Sequence, residues 1–410
     1  MRRAKTGWDM DDRTLCVVHP KVSLEGFASL AVPTYRASTI PFPDSAAYAG
    51  RLDRGDDSYV YGLYGTPTTR TLEKQLAALE RAERCFLTPS GQSAIFIAMA
   101  ALLEPGDTVL ITDSVYAPVR DLATSDLARF GVKPVFFDPS DPEGPEKLLD
   151  DSVRMIWVES PGSTTMEILD LPAIVRMAKA RGILVGCDNT WATPYLLKPL
   201  ELGADISVQA LSKYVGGHSD VLMGSIAVKD PQLAARIKGM MWRTGTGVSP
   251  DDCSLVLRGL ETLTVRLAHS GTVGERLARW IAARPTVARV LHPALETAPG
   301  HAIWKRDFKG ASGVFTVVLH DDAVPHVPAA LDELTLISIG ASWGGTRSLV
   351  APMSVAKYRT ASRVDGADMH LRFSIGLEAE EDLERDLERF FDRIEALLSM
   401  PERRLARSSV

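Results

Sequence analysis

From Tyr61 onward the chain alternates short apolar runs with stretches of helical period, and this alternation constrains its fold more than any other feature. An apolar run followed by a turn and an amphipathic helix is the pattern of βαβ units, which assemble into a mostly parallel sheet flanked by helices. Leu72, Leu76 and Leu79 fall on one helical face, and Cys85-Phe86-Leu87 then reads as a strand. A helix is expected over 92–103, with strands at 108–112, 134–137 and 155–158. Asp170 is placed to cap a helix that carries Ile174, Val175 and Ala178 and stops at Gly182. Residues 183–187, 206–209 and 222–228 supply three further strands.

The flanks differ. Pro20, Pro33, Pro41 and Pro43 interrupt any long helix, so residues 1–60 read as an extended arm that must pack on something else, such as another subunit. Past Asp251 one long helical region is expected to run to Arg284. A smaller unit follows, with strands at 314–319 and 371–375. Its last helix places Leu383, Leu387, Phe390, Ile394 and Leu397 on one face, with Glu381 and Arg385 set to pair one turn apart. The division expected is an arm (1–60), a large domain (61–258) and a small α/β C-terminal domain (259–410).

Charge and cysteine usage narrow the function classes. Lys and Arg number 46 against 52 Asp and Glu, a net −6 that leaves no electrostatic footprint for nucleic acid and favours a small-molecule partner. Cys16, Cys85, Cys187 and Cys253 lie far apart with no C-x-x-C spacing, which argues against a disulfide framework or a zinc site and fits a reducing cytoplasm. Arg2, Arg3 and Lys5 are followed by Asp9, Asp11 and Asp12 rather than an apolar secretion core, and no window approaches the ~20 apolar residues of a membrane span.

In an open α/β sheet the ligand crevice lies at the carboxyl ends of the strands, so polar residues just after apolar runs are the ones to inspect. Pro89-Ser90-Gly91-Gln92-Ser93 joins a strand to a helix, and its glycine admits an anion to the helix N-terminus; a plain strand-to-helix turn explains it as well. Asp188 follows the strand at 183–187 and is either a cap for the next segment or a carboxylate awaiting a cation. Lys213 follows the strand at 206–209, either as a snorkelling surface residue or as a desolvated amine suited to imine chemistry. A phosphate cradle, an acid for a pyridinium nitrogen and an amine for an aldehyde are the three attachments of pyridoxal phosphate, and they occur here together. Tyr116 adds an aromatic ring that can stack on the cofactor.

At these residues the chain resembles the Cys/Met metabolism family of fold type I enzymes that depend on pyridoxal 5'-phosphate. The lysine motif stands as Gln209-Ala210-Leu211-Ser212-Lys213-Tyr214-Val215-Gly216-Gly217-His218-Ser219-Asp220, and the likeness covers nearly the whole length. Glu159-Ser160-Pro161-Gly162-Ser163-Thr164-Thr165-Met166-Glu167, Ser342-Trp343-Gly344-Gly345, and His292-Pro293-Ala294-Leu295 with Trp304-Lys305-Arg306-Asp307-Phe308 are similar to the branch of carbon–sulfur β-lyases that cleave cystathionine.

The resemblance implies a doubly flanked, mostly parallel sheet with a smaller α/β domain, and assigns roles residue by residue. Lys213 carries the cofactor as an imine, Asp188 pairs with the pyridine nitrogen and Tyr116 stacks on the ring. Gly91 and Gln92 bind phosphate through backbone N–H groups, Ser212 through its hydroxyl, and Tyr61 reaches the phosphate of a neighbouring subunit. Arg372 clamps the substrate carboxylate with help from Ser342 and Trp343; Lys213, Tyr61 and Tyr116 are the catalytic set. No metal is implied, and a homotetramer built from active dimers is expected. The same cofactor would also serve γ-elimination or γ-replacement on homoserine esters, cystathionine or methionine, although Ala117 and Pro118 follow Tyr116 where methionine γ-lyases have a cysteine. Three positions depart from the family pattern: Leu63 replaces a phosphate-binding arginine, Ala210 a serine and Ala341 an aromatic residue. His218 is expected to hydrogen-bond its own loop. A metabolite-sensing regulator on the same fold would need a basic helical segment, and none is seen.

Overall fold

The computed structural model describes residues 25–26, 28–53, 55, 58–364 and 368–400; Cys16 and much of the expected arm lie outside them. The chain forms two compact units, Met1–Pro33 and Thr34–Val410. The first contributes a turn at residues 25–26.

Seven strands form the larger sheet: β1 (Arg84–Thr88), β2 (Thr108–Thr112), β3 (Lys133–Phe137), β4 (Val153–Glu159), β5 (Leu184–Asp188), β6 (Ile206–Ala210) and β7 (Gly224–Val228). Their order is β1-β7-β6-β5-β4-β2-β3. The run from β6 through β3 is parallel, while β7 is antiparallel to both of its neighbours, so the sheet is mostly parallel, as its apolar runs require. β4 shows the two-sided burial. Met155 and Trp157 join the core under the helix Gly91–Leu102, whereas Ile156 and Val158 pack on the opposite face against Ile174, Val175 and Ala178 of the helix Leu171–Lys179. Trp157 fits because its partner on β5 is Gly186, where a Cβ would stand 2.5 Å from the indole. Asp170 caps the second helix through Ala173 N–H, as its position predicts.

The smaller sheet has the order β10-β11-β12-β9-β8, from β8 (Val287–Leu291), β9 (Val314–Leu319), β10 (Ser338–Ile339), β11 (Leu349–Met353) and β12 (His370–Ser374). All of its pairings are antiparallel except β10 with β11. The helix Glu380–Leu398 buries Leu383, Leu387, Phe390, Ile394 and Leu397, the face its period marks.

Two local expectations are corrected. The helical region after Asp251 is two helices, Pro250–Glu261 and Leu263–Ala282, because the Gly259 carbonyl is taken by Thr262 N–H (3.2 Å) and Arg266 Nη2 (2.7 Å) where the chain turns. Arg385 pairs with Asp382 rather than with the Glu381 carboxylate: positions three and four residues back are both within its reach, and its guanidinium spans them by donating from Nη2 to the Asp382 carboxylate and from Nε to the Glu381 backbone carbonyl at 3.2 Å. β8, β10 and β11 give little periodic signal: β8 carries Arg289, β11 carries Pro352, and β10 is two residues long.

Candidate active site

The carboxyl ends of β4, β5 and β6 and the N-terminus of the helix Gly91–Leu102 converge on a pocket of about 210 Å³. Ser90 caps that helix reciprocally with Ser93, and its carbonyl takes the Ala94 N–H. The N–H groups of Gly91 and Gln92 are left at the pocket wall, where the helix terminus favours an anion. Gly91 has to be glycine: a Cβ there would lie 2.6 Å from the Cβ of Ala210, at the end of β6. Gln92 Nε2 donates to Pro118 O at 2.8 Å and so holds the turn that carries Tyr116, which also lines the pocket.

Asp188 is the last residue of β5 and stands in register with Glu159, the last of β4. Thr190 donates to Asp188 Oδ1 through its N–H (2.9 Å) and its hydroxyl (2.5 Å), and the same hydroxyl accepts from Ala210 N–H at 2.9 Å. Among the described residues no basic side chain pairs with Asp188, and loss of solvent pushes its carboxyl upward. Burial first, then the charge of Asp188, push Glu159 well above the usual carboxylate range. Glu159 Oε2 accepts from Tyr116 N–H at 2.7 Å.

Lys213 sits in the turn after β6, its Nζ donating to Ser342 Oγ at 2.8 Å and lying 5.4 Å from the Trp343 ring centroid. Burial, and secondarily the charge of Arg372, lower its amine from 10.5 to about 8. Arg372 comes from β12 and is buried; its Nη2 donates to Ala341 O across the pocket wall. Tyr214 anchors the turn from below, its hydroxyl accepting from Gly313 N–H at 2.9 Å.

Lys213, Asp188, Tyr116, Gly91, Gln92, Ser212, Trp343 and Arg372 therefore share one pocket, with Ser342 in contact through Lys213. Tyr61 does not line it. That ring is exposed, 6.0 Å from Tyr64, which itself stacks on Trp242 at 4.4 Å, while Leu63 packs against Gly247. His218 Nδ1 contacts Gly216 O at 2.8 Å, the local loop bond expected of it. Glu159, Ser163 and Thr190 also line the pocket, though the sequence assigned none of them a role there. Glu159 was legible only through the β4–β5 register, which brings two carboxyls together from residues 29 positions apart.

Comparison with known proteins decides the family. The profile described as "Cys/Met metabolism PLP-dependent enzyme" matches residues 13–392. The chain belongs to this family. A protein of Rhizobium johnstonii named as a putative cystathionine beta-lyase is 40% identical over 88% of this chain and 90% of its own length. A cystathionine beta-lyase of Bordetella avium is 37% identical over 90% and 93%. The solved cystathionine gamma synthase of Xanthomonas oryzae pv. oryzae, in complex with aminoacrylate and cysteine, superposes with a TM-score of 0.83 at 30% identity, covering 90% of this chain and 95% of that one. The fold is thus that of the fold type I enzymes dependent on pyridoxal phosphate.

The pocket suits the family's cofactor. The first-turn N–H groups of Gly91 and Gln92 match a phosphate, the enclosed Asp188, with no basic partner among the described residues, matches a protonated ring nitrogen, and the amine of Lys213, lowered to about 8, matches an aldehyde.

Proposed function

We propose that the protein is a carbon–sulfur β-lyase that cleaves L-cystathionine, with water, to homocysteine, pyruvate and ammonia. One observation carries the reading: Lys213, Asp188 and Arg372 meet in a single pocket, an amine, a cation-seeking acid and a carboxylate clamp arranged for an amino-acid substrate. The names of the Rhizobium and Bordetella relatives favour β-cleavage.

Bound pyridoxal phosphate supplies an aldehyde for an amine and a ring that withdraws electrons from the substrate Cα. Arg372 fixes the substrate carboxylate as a planar fork and thereby sets the Cα–H direction. Lys213 Nζ, neutral above about pH 8, takes the Cα proton, and Ser342 Oγ at 2.8 Å steers the amine while it does so. Burial pushes both carboxyls upward, and the charge of Asp188 pushes Glu159 further still, so the pair favours a single negative charge, which a protonated ring nitrogen of the bound cofactor would hold on Asp188. Tyr116, held by Glu159 and by the Gln92–Pro118 contact, presents its ring to the pocket. Tyr61 is assigned to the pocket of a neighbouring copy in a homo-oligomer, which accounts for its exposure in the single chain.

A second reading, γ-elimination or γ-replacement, draws on the similarity to the Xanthomonas γ-synthase. Incubation of the loaded enzyme with cystathionine separates the two. Pyruvate with homocysteine is the expected pair; 2-oxobutyrate with cysteine as the main products would overturn β-cleavage.

A further inference from the structure

Tyr116 and Ser163 reach the pocket from two segments that touch each other, 112–118 and 160–167. Ser163 N–H donates to Ser114 O at 2.8 Å, and the loop that bears it is strained: Thr164 and Met166 take φ of 70° and 60°, values side-chain-bearing residues avoid. Such backbone persists only where its surroundings hold it. The holder is Arg359, whose side chain is 4% exposed and whose Nη2 donates to Thr165 Oγ1 and, at 3.2 Å, to Glu167 Oε1. Thr165 Oγ1 in turn donates to Glu167 Oε2 at 2.6 Å.

Arg359 is itself held from the other segment. The Asp113 carboxylate, its side chain fully buried, accepts from the N–H groups of Thr360 (3.1 Å), Ala361 (3.0 Å) and Ser362 (2.8 Å) and from Ser362 Oγ (2.7 Å). Arg120 pairs with the same carboxylate, donates to Thr360 Oγ1 at 3.1 Å, and lies over the Phe136 ring at 3.5 Å. One acid at the end of β2 thus gathers three consecutive backbone donors of a loop lying almost 250 positions away in the chain.

We propose that Asp113 and Arg120 are positioning residues of the active site: they lock residues 360–362 so that Arg359 braces the strained loop carrying Ser163 and keeps it against the turn carrying Tyr116. The proposal rests on the amino-acid lyase reading above. It makes substrate placement, rather than attachment of the cofactor at Lys213, the property the brace controls.

The test uses the full-length, cofactor-loaded protein and the variants Asp113→Asn, Arg359→Met and their combination, measuring kcat and KM on cystathionine and the rate of trypsin cleavage after Arg363. Each single variant is expected to raise KM about tenfold with kcat within about threefold and the cofactor absorbance unchanged; the double variant should be no worse than the more affected single, because both act through one path. Cleavage after Arg363 should accelerate in Asp113→Asn. An unchanged KM, or effects that multiply in the double variant, overturns the brace. If Asp113→Asn does not fold, Ser362→Ala and Arg120→Met remove donors one at a time and are read by the same criteria. Failure of the wild type to form any keto acid would sink the lyase reading alone, since the trypsin comparison still decides whether Asp113 holds the loop.

Discussion

Gly91→Ala adds one methyl at the tightest contact of the pocket. The new Cβ would stand 2.6 Å from Ala210 Cβ and 3.0 Å from Ala210 Cα. An ordinary carbon contact needs about 3.5–4 Å, so the helix terminus and the end of β6 must separate by roughly 1 Å, at a cost of about 1–3 kcal/mol. The same shift moves the Gly91 and Gln92 N–H groups away from the site they line, weakening pyridoxal phosphate binding by about 5- to 150-fold. Urea unfolding of the cofactor-free protein and absorbance titration with pyridoxal phosphate measure the two effects. The decisive comparison adds Ala210→Gly, which removes the opposing methyl. The double variant should recover most of both losses, apart from about 0.5–1 kcal/mol for the new glycine. Additive destabilisation, or a Gly91→Ala protein that unfolds and binds like the wild type, would refute the packing argument.

Lys213→Ala should abolish the borohydride-reducible link to pyridoxal phosphate, checked by mass spectrometry of the reduced protein. Because the folded amine titrates near 8 and the unfolded one near 10.5, the unfolded chain binds the extra proton between those values, so stability of the cofactor-free wild type should rise with pH across that window and Lys213→Met should flatten the rise. His292 acts with the same sign at the acid end: burial lowers it from 6.5 to about 4, so its contribution is complete above 6.5 and drains away toward pH 4, by roughly 3 kcal/mol. Replacing His292 with Asn should shallow the acid limb of a denaturation series, and an equally steep limb would exclude the histidine as its source. Tyr214→Phe strips the acceptor from Gly313 N–H, at 2.9 Å, and should cost about 1–3 kcal/mol, read as a lowered Tm.

Local chemistry written along the chain already specified much of this protein. Apolar runs such as 108–112 and 314–319 match their strands residue for residue, since a strand buried on both faces can be little else. Asp188 and Lys213 were visible as polar residues closing apolar runs, because strand ends are where a parallel sheet exposes its ligands. What the linear order could not contain was decided by register and long-range packing. The β4–β5 register sets Glu159 beside Asp188, and packing of β6 against the helix Gly91–Leu102 makes Ala210 the reason residue 91 is glycine. The convergence of residues 360–362 on Asp113 has no local signature at all: backbone N–H groups are the same in every sequence, and only the folded chain chooses which carboxylate receives them.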